Sequence, residues 1–204
     1  MELNGAPKPA VWVVVLIKDF DTAKQRLRPA LDAAGRRRLA VDNARRALAA
    51  ARAGARVVAV CGSGEAAELA AGEGAEVILE GQPAGQNPAA RLGLEHAASR
   101  GAEAVLLLSS DLPLVTEADV AEIVEAGRIL GERAVVAAAA AGRGGTNALY
   151  LRPPDAVGLH FGDASLERFA RDAAQRGVRF QVHDSEKLAL DLDEPSDLEA
   201  LARR

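Results

Sequence analysis

A segment with several cations and one aspartate at the end of an apolar stretch are the first candidates for binding an anionic ligand and its counter-ion. Between Lys18 and Arg28 the chain carries four cations in eleven residues, including Lys18 and Lys24. Such a segment can hold a triphosphate, although a solvated loop with scattered charge would have the same composition. Asp111 stands in the run Ser109-Ser110-Asp111-Leu112-Pro113, directly after an apolar stretch. A carboxylate there is suited to hold Mg²⁺ against a nucleotide phosphate, and the alternative is a turn Asp that bonds its own backbone.

A second acidic pair, Asp191 and Asp193, lies near the carboxyl end of the chain. Residues two apart on a strand point to the same face, so these carboxylates would repel each other unless a cation neutralised them. A further metal contact is therefore one interpretation. The other is an acidic cluster at a helix N-terminus, which the helix dipole alone would favour. From the residues alone we prefer the second.

Lysine is rare in this chain, since only four of its 25 basic residues are Lys. A compact ammonium and a planar guanidinium are not interchangeable at a phosphate, so the retained lysines point to positions that need an ammonium. Lys18 and Lys24 fall in the candidate triphosphate segment, and Lys187 lies four residues before Asp191. Lys8 precedes the first apolar run, and we assign it no role.

The run Gly62–Ala67 offers a different function, because it matches the dinucleotide-binding pattern G-x-G-x-x-A after an apolar stretch. Glu80 follows 18 residues beyond Gly62, in the position of an acid that would bind a ribose. An NAD(P)-binding module is therefore an alternative. Against it, a complete strand–helix unit precedes the motif, and the lysine and aspartate clusters would have no task.

The elements that must position these residues alternate along the chain as short apolar runs and helix-period stretches. The runs are mostly continuous, which is typical of strands covered on both faces in a largely parallel sheet. We predict one α/β domain over residues 1–204, Rossmann-like and three-layered, with a mostly parallel mixed sheet. In such sheets ligands bind beyond the carboxyl ends of the strands. The predicted strands are 11–17, 56–61, 76–79, 104–109, 133–140, 147–151, 178–183 and 188–192, and the predicted helices are 33–53, 64–73, 87–100, 116–130, 165–176 and 195–203.

Composition excludes several classes of protein. A formal net charge of −4 argues against a dedicated nucleic-acid binder. The single cysteine, Cys61, excludes an internal disulfide framework and a cysteine-based zinc site, and it fits a reducing compartment. The longest apolar run, Ala10–Ile17, is too short to span a membrane. We therefore expect a cytoplasmic protein that binds neither nucleic acid nor membrane, and we leave its oligomeric state open.

Taken together, these residues resemble the guanylyltransferase family of deazaflavin coenzyme F420 biosynthesis, whose fold is similar to that of the molybdopterin-cofactor nucleotidyltransferases. The resemblance extends from the first strand to Leu198. The family's first strand runs into a Val-Pro-x-Lys turn, which here reads Val15-Leu16-Ile17-Lys18, so the path of the first loop is left open. Six segments in the same order carry the resemblance: Lys18 with Ala23–Leu27, Gly85–Arg91, Ser110–Leu114, Gly144–Leu149, Phe161–Ser165 and Leu190–Leu198.

The resemblance implies transfer of GMP from GTP to a phosphorylated three-carbon acid, with release of pyrophosphate. Phosphoenolpyruvate is the first candidate, because the Arg-rich composition suggests a bacterium and the bacterial members of the family mostly point to this acid. 2-Phospho-L-lactate and 3-phosphoglycerate stay open. The nearest alternative is a related nucleotidyltransferase with another acceptor, although its Gly-rich first loop is missing here. The implied site residues are Lys18, Lys24 and Asp111 for catalysis; Thr146, Gly162 and Ser165 for the acid; Lys18, Lys24, Gly85, Asn87 and Arg91 for the nucleotide; and Asp111, Asp191 and Asp193 for Mg²⁺.

Overall fold

Seven strands form one sheet in the order β3-β2-β1-β4-β6-β5-β7. The structure is a computed structural model that describes residues 10–142 and 144–203, so Lys8 lies outside the described residues. The strands are β1 (Val11–Ile17), β2 (Arg56–Cys61), β3 (Glu76–Leu79), β4 (Ala104–Ser109), β5 (Ala134–Ala139), β6 (Thr146–Arg152) and β7 (Arg179–Val182).

Strand direction confirms the predicted mostly parallel, mixed sheet. β1 pairs in parallel with β2 and β4, β2 pairs in parallel with β3, and β5 pairs in parallel with β7. β6 runs antiparallel to both of its neighbours, with Ala148 opposite Leu108 of β4. Because of this reversal, β6 begins at the edge of the sheet where β4 ends.

Helices cover both faces of the sheet, which confirms the predicted three-layer domain. One face packs against alanines and branched residues of α1, α2 and α4, and the other against α3 and α5. Every residue of β1 is buried, since this strand runs through the middle of the sheet. The helices are α1 (Ala33–Ala50), α2 (Gly64–Gly72), α3 (Gln86–Ser99), α4 (Glu117–Leu130), α5 (Ser165–Gln175), α6 (Glu186–Ala189) and α7 (Pro195–Ala202).

Local capping accounts for several helix starts that the sequence indicates. Thr116 and Asp119 form a capping box at the start of α4, and Pro195 occupies the first turn of α7. Ser63 caps α2 by accepting a hydrogen bond from the Ala66 N–H. In the described part of the chain, no helix has the length and apolar character needed to cross a membrane.

The predicted strand at 188–192 is wrong. The Ser185 hydroxyl accepts a hydrogen bond from the Leu188 N–H, and the chain turns into the short helix α6. Leu190 and Leu192 are buried beyond this helix, and the Leu192 N–H bonds to the carbonyl of Asp111. A short buried apolar run has the same pattern in a strand and in a helix, so periodicity could not separate the two.

Candidate active site

A cavity of about 240 Å³ lies at the edge of the sheet where β3, β2, β1 and β4 all end. The four strands are parallel, so the residues that follow them face one site, as expected for an open α/β sheet. These residues are Glu80 after β3, Gly62 after β2, Lys18 after β1, and Ser110 with Asp111 after β4, and all of them line the cavity together with Gly85, Gln86, Lys24 and Asp193.

The loop after β1 brings Lys24 back over the cavity. The Asp19 carboxylate accepts hydrogen bonds from the N–H groups of Asp21 and Thr22, at 2.8 and 3.1 Å. The side chains of Phe20 and Leu27 are buried and fix the two ends of the turn. Lys24 itself adopts the left-handed conformation, with φ of 58°. An Asx-type turn and two apolar contacts therefore set the loop path that the sequence left open.

Lys24 joins two acidic segments that are far apart in the sequence. Its Nζ lies 2.9 Å from Asp111 Oδ2 and 3.5 Å from Asp193 Oδ1. The Lys24 side chain is only 5% exposed, so the ammonium is held between these carboxylates and largely out of solvent. A buried ammonium of this kind offsets the charge of the carboxylates that it contacts.

Asp111 is ionised at neutral pH. Burial by itself raises the pKa of its carboxyl, but the charges of Lys24 and Lys18 and the hydrogen bond from the Ser109 hydroxyl outweigh burial and lower the pKa to about 2. The Ser109 Oγ donates to Asp111 Oδ1 at 2.6 Å. Sequence reasoning missed this role of Ser109, although its position two residues before Asp111 in the same run was a signal for it.

Asp111, Asp191 and Asp193 can each place one carboxylate oxygen within 4.8 Å of the others. Hard oxygen donors of this kind are the ligands that Mg²⁺ and similar divalent cations take, so the acidic triad is chemically suited to such an ion. Asp191 and Asp193 do not lie on a strand, so the expectation that they share one face of a strand is wrong. They follow α6, and Asp193 is held by the hydrogen bond from its N–H to Asp197 Oδ2 at 2.8 Å.

The three residues expected at the acid lie close together, joined through hydrogen bonds of Ser165. Thr146 begins β6 and Ser165 begins α5, and the Ser165 Oγ donates to the Thr146 Oγ1 at 3.0 Å. Gly162 has φ of 120°, which a side chain would oppose, and its carbonyl accepts from the Ser165 N–H. The antiparallel register of β6 with β4 puts Thr146 at the level of Ser110. Arg143, in the preceding loop, lies outside the described residues.

The structure places only some of the residues expected at the nucleotide in the lining of the cavity. Gly85 lines the cavity at the start of α3, with φ of 105°. The Asn87 carboxamide instead bonds to both backbone polar groups of Phe161. Arg91 is exposed and lines a separate groove with Pro154, so the structure does not bring it to the cavity.

Lys187 is not part of the cavity lining, and its Nζ pairs with Asp119 Oδ2 of the α4 capping box at 3.2 Å.

Gly62 has a packing reason to be glycine. A Cβ at Gly62 would lie 3.0 Å from the backbone nitrogen of Asp19. Cys61 is buried beside it, and burial, followed by the charge of Glu80, raises the pKa of its thiol to about 12. The thiol is therefore inert in the folded protein.

Comparison with known proteins decides the family. A family model described as "Guanylyl transferase CofC like" matches residues 11–202. The chain belongs to this guanylyltransferase family. Its curated relatives include a phosphoenolpyruvate guanylyltransferase of Rubrobacter xylanophilus, 40% identical over 94% of this chain and 93% of the relative. A 3-phospho-D-glycerate guanylyltransferase of Phenylobacterium zucineum is 39% identical over 77% of this chain and 72% of that protein.

The fold of this guanylyltransferase family member is also found in other nucleotidyltransferases. The crystal structure of 4-diphosphocytidyl-2C-methyl-D-erythritol synthase superposes with a TM-score of 0.63 at 13% identity, over 96% of this chain and 98% of that one. Family and fold together make the protein a nucleotidyltransferase.

Proposed function

We propose that this protein transfers GMP from GTP to a phosphorylated three-carbon acid and releases pyrophosphate, as a step of coenzyme F420 biosynthesis. The observation that carries the proposal is the position of Lys24 between Asp111 and Asp193. This charged cluster lines a cavity large enough for part of a nucleotide, and Thr146, which bonds Ser165, begins β6 next to β4. We assign the donor to the cavity and the acceptor to Thr146 and Ser165, so that the two would meet at Asp111.

The reaction asks for charge compensation and alignment rather than for a general base. The attacking atom is a phosphate oxygen of the acid, which is already ionised at neutral pH. It forms a bond to the α-phosphorus of GTP while the bond from that phosphorus to the β-phosphate bridging oxygen breaks, and pyrophosphate leaves with the electron pair. Lys18 and Lys24 hold the anionic groups together and offset the charge that develops on them.

Asp111, Asp191 and Asp193 would hold the divalent cation, for which we propose Mg²⁺. Their oxygen atoms fit a hard cation, and the low pKa of Asp111 keeps this carboxylate ready to bind without losing a proton first. A bound Mg²⁺ would supply Lewis-acid stabilisation of phosphate charge. Ser109 orients the Asp111 carboxylate for this task, since its hydroxyl bonds Oδ1.

Phosphoenolpyruvate is the acceptor that we propose first. The relative with that name in Rubrobacter xylanophilus matches this chain over nearly its whole length, and the one named for 3-phospho-D-glycerate matches a shorter part. We assign the acid to Thr146, Gly162 and Ser165 at the start of α5. Backbone N–H groups at a helix start favour a phosphate or a carboxylate, and the left-handed Gly162 leaves the approach free of a side chain.

The decisive experiment is turnover by the purified protein. GTP and Mg²⁺ are offered with phosphoenolpyruvate, 2-phospho-L-lactate or 3-phosphoglycerate, and pyrophosphate release is followed with a coupled assay. We expect the highest kcat/KM with phosphoenolpyruvate and no release after chelation of the metal. Absence of pyrophosphate with all three acids would overturn the proposal. So would thermal stabilisation by NAD(P) together with none by GTP and Mg²⁺.

A further inference from the structure

Glu80 is a titratable residue in the lining of the cavity, and it has no task in the proposed transfer reaction. It directly follows β3, which is an edge strand of the sheet, and it lines the same cavity as Lys24 and Asp111. The lining of this cavity also includes the apolar side chains of Leu16, Val60 and Pro83. A carboxylate in the partly apolar lining of a substrate cavity is a candidate for binding a polar edge of the substrate.

The order of the strands separates Glu80 from the phosphate end of the cavity. Going across the sheet edge, Glu80 follows β3, Gly62 follows β2, Lys18 follows β1 and Asp111 follows β4. At about 4.8 Å between neighbouring strands, Glu80 and Asp111 are roughly 14 Å apart along the edge. With the phosphates at Lys18, Lys24 and Asp111, a nucleotide laid across the strand ends therefore puts its base at Glu80.

We propose that the Glu80 carboxylate accepts hydrogen bonds from the N1–H and the 2-amino group of guanine and thereby selects GTP. The inference deepens the proposed function and rests on it. An ionised carboxylate only accepts hydrogen bonds. The Watson–Crick edge of guanine presents two adjacent donors, whereas adenine, cytosine and uracil present a donor next to one or more acceptors. Glu80 therefore matches guanine and opposes the other three bases.

The Glu80 side chain is already oriented by its own loop. Burial raises the pKa of the Glu80 carboxyl, and a hydrogen bond from the backbone N–H of Ala84, in the loop between β3 and α3, partly offsets this rise. The Glu80 N–H in turn bonds to the carbonyl of Cys61, so the residue is tied to β2. A carboxylate has two oxygens with about four acceptor positions, so the bond from Ala84 leaves capacity for a base.

Two other roles for Glu80 make different predictions. If the carboxylate serves only to shape the loop, its loss should weaken all nucleotides equally. If it binds the ribose, its loss should change the preference for GTP over 2′-deoxyGTP. Recognition of the base, in contrast, should change the preference for GTP over ITP, since inosine lacks only the 2-amino group.

The test compares wild type and Glu80→Gln with GTP, ITP, XTP and 2′-deoxyGTP, at fixed Mg²⁺ and acid. We expect wild type to favour GTP over ITP by about 10- to 100-fold in kcat/KM, the value of a good bidentate contact. In Glu80→Gln this ratio should fall towards one, and XTP should gain, because the Gln amide donates to the 2-oxo group of xanthine. Glu65→Gln, on α2 outside the cavity lining, is the matched control and should keep the wild-type ratios.

Each further outcome has a defined meaning. Equal losses with GTP and ITP in Glu80→Gln, an altered 2′-deoxyGTP ratio with an unchanged ITP ratio, or a wild type indifferent to the 2-amino group would each overturn the inference. Calorimetric titration of GTP and ITP with Mg²⁺ in the absence of acid separates this inference from the proposed function. Binding with a Glu80-dependent GTP preference but no turnover would refute the transfer reaction and leave guanine recognition standing.

Discussion

The side-chain amide of Asn87 pairs with both backbone polar groups of Phe161. Asn87 Oδ1 accepts from the Phe161 N–H at 2.8 Å, and Asn87 Nδ2 donates to the Phe161 carbonyl at 3.0 Å. Asn87 lies in the first turn of α3, two residues after the cavity residue Gly85, and Phe161 directly precedes Gly162. This pair therefore ties the proposed nucleotide side of the site to the proposed acid side.

Replacing Asn87 by Ala should loosen this connection. The half-buried Phe161 N–H and carbonyl would lose their partner, which should lower the free energy of unfolding by about 1–3 kcal/mol. Because Asn87 acts through the Phe161 loop, the KM for the acid should rise more than kcat falls. Denaturant unfolding and steady-state kinetics measure the two effects. Ser99→Ala removes an exposed bond at the other end of α3 and should change stability by no more than about 0.5 kcal/mol.

Asp111→Asn should stop the reaction while the protein remains folded. The amide keeps the shape of the side chain but removes the charge that Lys24 and the proposed metal require. We expect pyrophosphate release to fall by about 10²–10³-fold or more, the usual cost of losing one well-placed electrostatic group. Circular dichroism checks the fold, and Asp42→Asn makes the same change at an exposed site on α1. Full activity of Asp111→Asn would remove Asp111 from the reaction.

Lys24→Arg should be harmful although it keeps the positive charge. The Lys24 side chain is almost fully enclosed, and its single ammonium reaches both Asp111 and Asp193. A planar guanidinium is larger and directs its donors differently, so activity should fall by about 10²-fold. Lys187→Arg is the matched control, because Lys187 pairs with Asp119 at a half-exposed position outside the cavity lining. Full activity of Lys24→Arg would contradict our interpretation that this position needs an ammonium.

Acid should destabilise the protein partly through Asp172. Its carboxylate accepts from the Gly158 N–H at 2.6 Å and from Arg176 Nε at 2.7 Å, and it contacts His160 Nε2 at 2.9 Å. Burial alone raises the pKa of Asp172, but these contacts outweigh it and lower the pKa to about 2. The folded-state pKa is thus below the unfolded value of about 3.9, so the stabilisation is complete above about pH 5 and is lost as the pH falls from there towards 2.

The measurement is urea unfolding of wild type and Asp172→Asn at several pH values. At pH 7 the variant should be less stable by about 1–2 kcal/mol, and the difference should shrink between pH 5 and pH 3. Asp155→Asn, an exposed position in the preceding loop, should show no such trend. A stability difference that stays constant with pH would mean that the Asp172 charge contributes nothing.

Much of the fold could be predicted from the sequence because its signals are local. The continuous apolar run Val11–Ile17 predicts a strand buried on both faces, and β1 has those bounds. The capping box of Thr116 and Asp119 likewise marks the start of α4. The apolar run before Asp111 also predicts that this residue follows a strand, so local sequence was enough to place this part of the candidate site.

The sequence by itself thus determined the alternation of elements and the edge of the sheet where the site must lie. Only the tertiary structure decided which side chains meet there. Lys24 contacts Asp111, which is 87 positions away in the sequence, and Asp193, which is 169 positions away. No periodicity in the sequence encodes separations of this length. The order of the parallel strands also separates Glu80, which the dinucleotide-binding alternative would have used to bind a ribose, from Asp111 by three strand spacings. Strand order is set by how the helices pack against both faces, which depends on the whole chain at once.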